Sequence, residues 1–416
     1  MNTDAPAAWV VGTYDTKGDE LHYMAALLRS AGVPVLTVDI GTRSKSDVDM
    51  PARTVAAYHP LGADAVLGVD DRGVAVTAMG EALSALVREK LVQGQIAGMI
   101  GAGGSGGSAM IAPAMRLLPI GRPKLLVSTM AAGDMAPYVD VVDMTSVYPV
   151  TDIAGLNRLS RSVLANAAHA LAGMLLFAAP AVAPGHDKPA IGLTMFGVTT
   201  PCVQAVRGLL ADRFDPQIFH ANGPGGRTIE RLAAAGMLEA IVDITTTEVG
   251  QHLAGGICDA GPTRLDAAAR YGVPWIGSVG ALDMINWGAR ETIAPQYRER
   301  IFHVHNANVT LMRSTAQEMA AAGLRIAEQL NRSPGPVRLL LPAGGVSMLD
   351  APGLPFHDPA ANAALFDALQ STFVASETHQ LDVLPWHIND PTFAQTVARH
   401  VQEVVPSPLE RETAAN

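Results

Sequence analysis

From Trp9 onward the chain alternates short apolar runs with polar or glycine-rich turns and then longer helix-like stretches. Trp9 to Val11, Val35 to Ile40, Ala65 to Val69, Ile96 to Ile100 and Leu125 to Ser128 read as strands buried on both faces. Strand, turn and helix in alternation predict a parallel sheet with helices on both sides, and such sheets bind ligands outside the carboxyl ends of their strands. The pattern breaks at the proline-rich passage Ala178 to Pro189 and restarts at Ile191 to Phe196. It continues with a strand-like Leu381 to Leu384 between the helix-like stretches Pro359 to Thr372 and Thr392 to Val405. The expected fold class is therefore α/β: two Rossmann-like domains with mainly parallel sheets flanked by helices, one over residues 1–183 and the second over 184–416.

Composition narrows the partners. A formal charge of −10 with 16% charged residues disfavours nucleic acid, whose phosphates such a chain repels on average. Two cysteines, Cys202 and Cys258, are too few for a disulfide framework and fit a reducing cytoplasm. Met1 to Ala8 has no apolar signal core. The uncharged stretch Val163 to Ala183 is long enough to span a bilayer, but Asn166, His169 and Pro180 interrupt it and alanine dominates it, so a buried helix is expected and no membrane partner.

The candidate chemistry sits after the strands. Gly101 to Ser108 reads Gly-Ala-Gly-Gly-Ser-Gly-Gly-Ser between a strand and a helix. Glycines permit positive φ and let backbone N–H groups converge on an anion at a helix N-terminus, with Ser105 and Ser108 adding hydroxyls; a plain flexible turn is the other reading. It is not a Walker A loop, because no lysine lies between Lys90 and Lys124. The turn after the first strand, Gly12 to Glu20, lacks the Rossmann fingerprint but offers Lys17 to phosphates, hydroxyls at Thr13 and Thr16, and Asp15 to orient Lys17 or hold Mg²⁺ through water; helix capping is the alternative. Asp39, ending the second strand, is placed to meet a ribose hydroxyl. Asp70 to Gly73 fits a capped turn as well as a site, and the small residues of Ser128 to Asp134 let a ligand approach the backbone.

In the second half, His220 to Arg227 carries Gly223, Gly225 and Gly226 into a helix start, a place for a carboxylate or phosphate with Arg227 as counter-charge. Thr245 to Glu248, Gly255 to Pro262 and Arg264 add polar groups at further strand ends. His303 and His305 alternate as on one face of a strand, yet no spacing among the 12 histidines makes a recognised metal site, and no structural or catalytic metal is expected from them. His305 and Glu248 are the acid/base candidates.

Gly12-Thr13-Tyr14-Asp15-Thr16-Lys17, the Gly101 to Ser108 loop, Ser128 to Asp134, and Tyr148 to Asp152 with Gly155-Leu156-Asn157 together resemble the tomato mosaic virus resistance protein-like ATP-binding domain family, which has bacterial members. The resemblance runs over about Trp9 to Val404. It implies a first domain that binds ATP with Mg²⁺ and a chain that forms a homodimer. It also implies that Thr16 and Lys17 lie near phosphates, that Gly103, Gly104, Ser105 and Gly106 wrap the phosphate or ribose region, and that Thr129, Ala131 and Gly133 border the nucleotide. Two functions remain open: an ATP-dependent kinase or ligase acting on a small carboxylate or phosphate metabolite held by His220, Gly225, Gly226 and Arg227 in a cleft shared with ATP, or a non-catalytic nucleotide-binding module that recognises a protein partner.

Overall fold

The computed structural model describes residues 5–43, 46–178 and 188–405. The chain divides into two compact units, Met1–Ala181 and Val182–Asn416. Most of the expected linker, residues 179–187, lies outside the described residues.

The first unit runs β1 (Ala7–Gly12), α1 (Tyr14–Ser30), β2 (Val35–Asp39), α2 (Ala52–Ala56), α3 (Asp64–Leu67), α4 (Arg72–Val92), β3 (Ile96–Gly103), α5 (Ser105–Met115), β4 (Lys124–Ser128), α6 (Ala136–Val139), β5 (Thr145–Val147) and α7 (Arg158–Leu176). The sheet order is β2-β1-β3-β4-β5, with every pairing parallel. The first strand is internal, the second lies on one side and the third on the other. Successive side chains of a strand point to opposite faces, so Trp9 and Val11 pack with α4 and α5 while Val10 packs with α1 and α7. This two-sided burial explains why the strands read as continuous apolar runs.

One expected strand is not there. Residues 65–69 fall in and just after α3, a single helical turn in which only Val66 is fully buried. Alanine and leucine favour helix, and one short apolar run does not distinguish a buried strand from a helical turn. The long apolar stretch is helical as far as Leu176, within α7, which is opened by a reciprocal cap in which Asn157 Oδ1 accepts from Leu159 and Ser160 N–H groups and Ser160 Oγ accepts from Asn157 N–H. It buries Leu164, Ala167, Ala168, Leu171 and Ala172 against the sheet. Among the described residues no helix is long and apolar enough to cross a membrane.

The second unit contains β6 (Ala190–Met195), α8 (Thr200–Leu210), β7 (Asp215–His220), α9 (Pro224–Ala234), β8 (Ala240–Asp243), α10 (Thr247–Ala254), α11 (Asp266–Tyr271), β9 (Trp275–Gly277), β10 (Met284–Trp287), β11 (Phe302–Asn306), β12 (Val309–Arg313), α12 (Ala316–Leu330), β13 (Val337–Pro342), α13 (Pro359–Thr372), β14 (His379–Leu384) and α14 (Pro391–Val404). Its parallel sheet has the order β14-β13-β9-β8-β6-β7, and β10-β12-β11 form a small antiparallel sheet. The winding of the first unit is repeated: β6 is internal, β7 lies on one side and β8 on the other. The fold is thus α/β with two parallel sheets flanked by helices, and both cysteines are free and buried.

Candidate functional site

In an open parallel sheet the chain leaves β1 and β3 toward opposite faces, and the loops at their carboxyl ends part to leave a crevice. Here that crevice is a cavity of about 520 Å³. The β1–α1 turn supplies Thr13, Asp15, Thr16 and Lys17, the segment after β2 supplies Thr42 and Arg43, and the β3–α5 loop supplies Gly104, Ser105, Gly106 and Gly107. Val69, Asp70, Arg72, Ala75, Val76 and Met110 complete the wall, with Asp152 at its edge. The lining therefore combines three cations, three carboxylates, hydroxyls and bare backbone over an aliphatic wall.

Each part has a local cause. Gly12 is closely packed, since a Cβ there would lie 2.7 Å from Leu21 Cδ1 and 3.3 Å from Ala102 O, and the chain turns at once into α1. Lys17 leaves helical geometry at φ −137° and ψ 26°, and its Nζ donates to Ile153 O at 2.5 Å. Thr13 and Thr16 hydroxyls bond each other at 2.8 Å. Asp71 caps α4 by accepting from Val74 N–H at 2.9 Å, which sets Asp70 and Arg72 on either side of the cap.

The glycine loop differs from expectation in its backbone. None of Gly101, Gly103, Gly104, Gly106 or Gly107 has positive φ; Gly104, the residue before α5, is extended at φ −80° and ψ −160°. Gly103 is required sterically, because a Cβ would lie 2.9 Å from Gly107 Cα. At Gly106 a Cβ would meet nothing within 4 Å, and at Gly104 only Thr129 Oγ1 at 3.6 Å. Glycine at these two cavity-lining positions is therefore not demanded by the protein's own packing. Ser105 is exposed at the helix start, whereas Ser108 is fully buried and bonded to Ser128 Oγ at 2.6 Å, which removes it as a ligand donor.

Asp39 does not line the cavity. It is buried, and its Oδ1 accepts from Tyr14 and Gly41 N–H groups at 3.2 and 2.8 Å, so it fastens the β1–α1 turn to the end of β2 in place of presenting itself to a ribose. Thr129 and Ala131 lie in a short 3-10 turn that Gly133 closes, and of this turn Thr129 comes nearest the crevice through its neighbour Gly104. None of Thr129, Ala131 and Gly133 is in the cavity wall.

The glycine turn before α9 holds an anion, and that anion belongs to the protein. Glu248 Oε1 accepts from Gly223 and Gly226 N–H groups at 2.6 and 3.0 Å, while Oε2 accepts from Arg264 Nε at 2.8 Å. Arg264 also forks onto Asp243 at 2.7 and 2.8 Å and reaches Glu230 at 3.2 Å. A Cβ on Gly226 would overlap Glu248, and one on Gly225 would overlap His220 O, so both must be glycine for internal reasons. Burial raises the Glu248 carboxyl above its ordinary range, with Arg264 opposing the shift. Glu248 is 0% exposed, so it is a structural group and not a base open to substrate.

Arg227 sits at the fourth position of α9. His220 stacks on Phe196, with ring centroids 5.2 Å apart. His305 is exposed on the small antiparallel sheet. Among the described residues no group of three histidine, cysteine or acidic side chains is arranged to hold a metal ion. The sequence does not single out Arg43, gives Asp152 no role beyond the Tyr148 to Asp152 motif, and offers Arg72 only within a turn that also fits capping, although all three line the crevice.

Comparison with known proteins covers both units. Residues 6–180 match the model of the Uncharacterised protein family (UPF0261) N-terminal domain, and residues 188–405 match that of its C-terminal domain. A UPF0261 protein of Mesorhizobium japonicum is 50% identical over 94% of this chain and 97% of its own length. One from Rhizobium meliloti is 49% identical over 95% of this chain and 98% of its own length. The ToMV resistance protein Tm-1 of Solanum lycopersicum is 39% identical over 97% of this chain, which spans 56% of that longer protein.

Proposed function

We propose, for a chain that belongs to the UPF0261 family, that its first unit is a nucleotide-binding module taking ATP with Mg²⁺ in the crevice between the carboxyl ends of β1 and β3. The observation that carries this reading is the bare backbone at Gly104 and Gly106, where the protein leaves open the space a side chain would fill. Backbone N–H groups at the start of α5 suit an anion, and cations line the facing wall. The residues fit the nucleotide: Ser105, Thr13 and Thr16 offer hydroxyls, and Val69, Val76 and Met110 offer an aliphatic surface. They fit Mg²⁺ held chiefly by phosphates and water, with Asp15, Asp70 or Asp152 as the protein contribution, because Mg²⁺ is seldom caged by protein alone.

Two uses of the nucleotide follow, and one observation separates them. A kinase or ligase needs an anionic acceptor site, and the turn best suited to one is occupied by Glu248. This favours the second use, a nucleotide-dependent module that a protein partner recognises, in keeping with the resistance activity for which the tomato relative is named. Calorimetry on the full chain tests the common premise: ATP with Mg²⁺ should bind at micromolar concentrations, and Gly104→Val, whose side chain enters the crevice, should abolish the heat. Absence of ATP binding by the wild type would refute the reading. Phosphate release stimulated by a carboxylated metabolite would reverse the order of the two uses.

A further inference from the structure

The three cations of the crevice are in different states. Lys17 is committed, since its ammonium donates to Ile153 O and the residue takes a non-helical conformation while doing so. This bond ties the β1–α1 turn to the chain ahead of α7. Arg43 and Arg72 line the same crevice from two other segments, and neither has a hydrogen bond or ion pair among the described residues. A solvated arginine on a convex surface needs no explanation. Two in a concave wall are different, because low-dielectric walls concentrate their field on whatever enters. A guanidinium also presents a planar fork that matches two phosphate oxygens, which an ammonium already holding a carbonyl does less well.

Resting on the nucleotide reading above, we propose that Arg43 and Arg72 read the phosphates beyond the first, so that they set the preference for triphosphate over monophosphate. Lys17 is a positioning residue, acting through the turn that it holds. Asp152, a carboxylate of the same wall, accepts at 2.8 Å from the N–H of Ile153, the residue whose carbonyl Lys17 grips.

The experiment is calorimetry on the full chain with ATP, AMP and inorganic tripolyphosphate, each with Mg²⁺. The wild type should prefer ATP to AMP by about a hundredfold, since each charge-assisted contact is worth about tenfold. Arg43→Gln and Arg72→Gln should each weaken ATP and tripolyphosphate by about tenfold and leave AMP within about twofold, and Arg72→Lys should recover part of the loss. Lys17→Met should weaken ATP and AMP in parallel. Melting temperatures of the arginine variants should match the wild type, because the replaced side chains have no hydrogen-bond or ion-pair partner among the described residues. The assignment is overturned if both arginine variants keep the full ATP to AMP ratio, or if Lys17→Met alone erases it. A wild type that binds ATP and AMP equally would also overturn it while leaving the nucleotide site standing, whereas a wild type that binds none of the three ligands refutes the nucleotide reading itself.

Discussion

Gly106→Ala should change stability and binding in opposite directions. Gly106 is the second residue of α5, its φ is not positive, and a Cβ there meets nothing within 4 Å. Replacing glycine by alanine within a helix removes backbone freedom from the unfolded chain and gains up to about 1 kcal/mol. For a unit of this size that is a rise in melting temperature of about 2–4 °C. The same methyl projects into the crevice, where a phosphate close to the Gly106 N–H would have to retreat. Loss of one or two hydrogen bonds to a charged group costs about 1.5–3 kcal/mol, or at least about tenfold in affinity. Gly103→Ala is the contrast, because its Cβ would meet the backbone of Gly107 and Ser108 at 2.9–3.3 Å. Overpacking of that kind costs about 1–3 kcal/mol. Differential scanning calorimetry and ATP titration on the three proteins decide the matter. A Gly106→Ala protein with unchanged ATP affinity would show that the ligand does not approach this backbone and would remove the observation on which the site rests.

Two further expectations concern the second unit. Arg264→Met leaves Glu230, Asp243 and Glu248 buried without their shared cation, so urea unfolding should show a loss of about 3–5 kcal/mol; a loss under about 1 kcal/mol would mean that the carboxylates are already neutral. Asp283 is fully buried against Ser347 Oγ, and burial lifts its carboxyl from 3.8 to about 7, Arg313 opposing the shift. A folded-state value above the unfolded one means that the native state holds the extra proton, so this group's contribution to stability is full below pH 4 and declines as the pH rises toward 7. Asp283→Asn should flatten that part of the stability profile, and an identical slope in the variant would refute the assignment.

The alternation of apolar runs and turns located β1, β2, β3 and β4 and the restart at β6, because strands buried on both faces are conspicuous in sequence. It failed at α3, where a run of five residues carries no period that separates strand from helix. The sequence makes the glycine loop legible as a turn between strand and helix, and it lines the crevice, but its conformation is not legible: Gly103 is small because Gly107 lies against it, a contact created only when the loop folds. At Gly223 to Gly226 the N–H groups expected to meet a ligand meet the chain's own Glu248 instead. Glu248 is more than twenty residues away, and only the pairing of β6 with β7 and β8 brings its carboxylate to that turn. Asp39 likewise found a backbone partner in Tyr14, across a strand pair that the sequence could not register.

The internal position of β1 governs how the protein can be made and cut. Val10 pairs with Thr37 on one side and with Ile100 on the other, so after synthesis this strand waits for some ninety residues before its second edge is covered. Pairings of such sequence separation are closed late and against a large loop entropy, which makes the nascent unit a client for whatever shields exposed strand edges. A deletion that removes Ala7 to Gly12 takes out an internal strand and not the margin of the sheet, and trimming that is harmless where the corresponding strand is peripheral would here part β2 from β3.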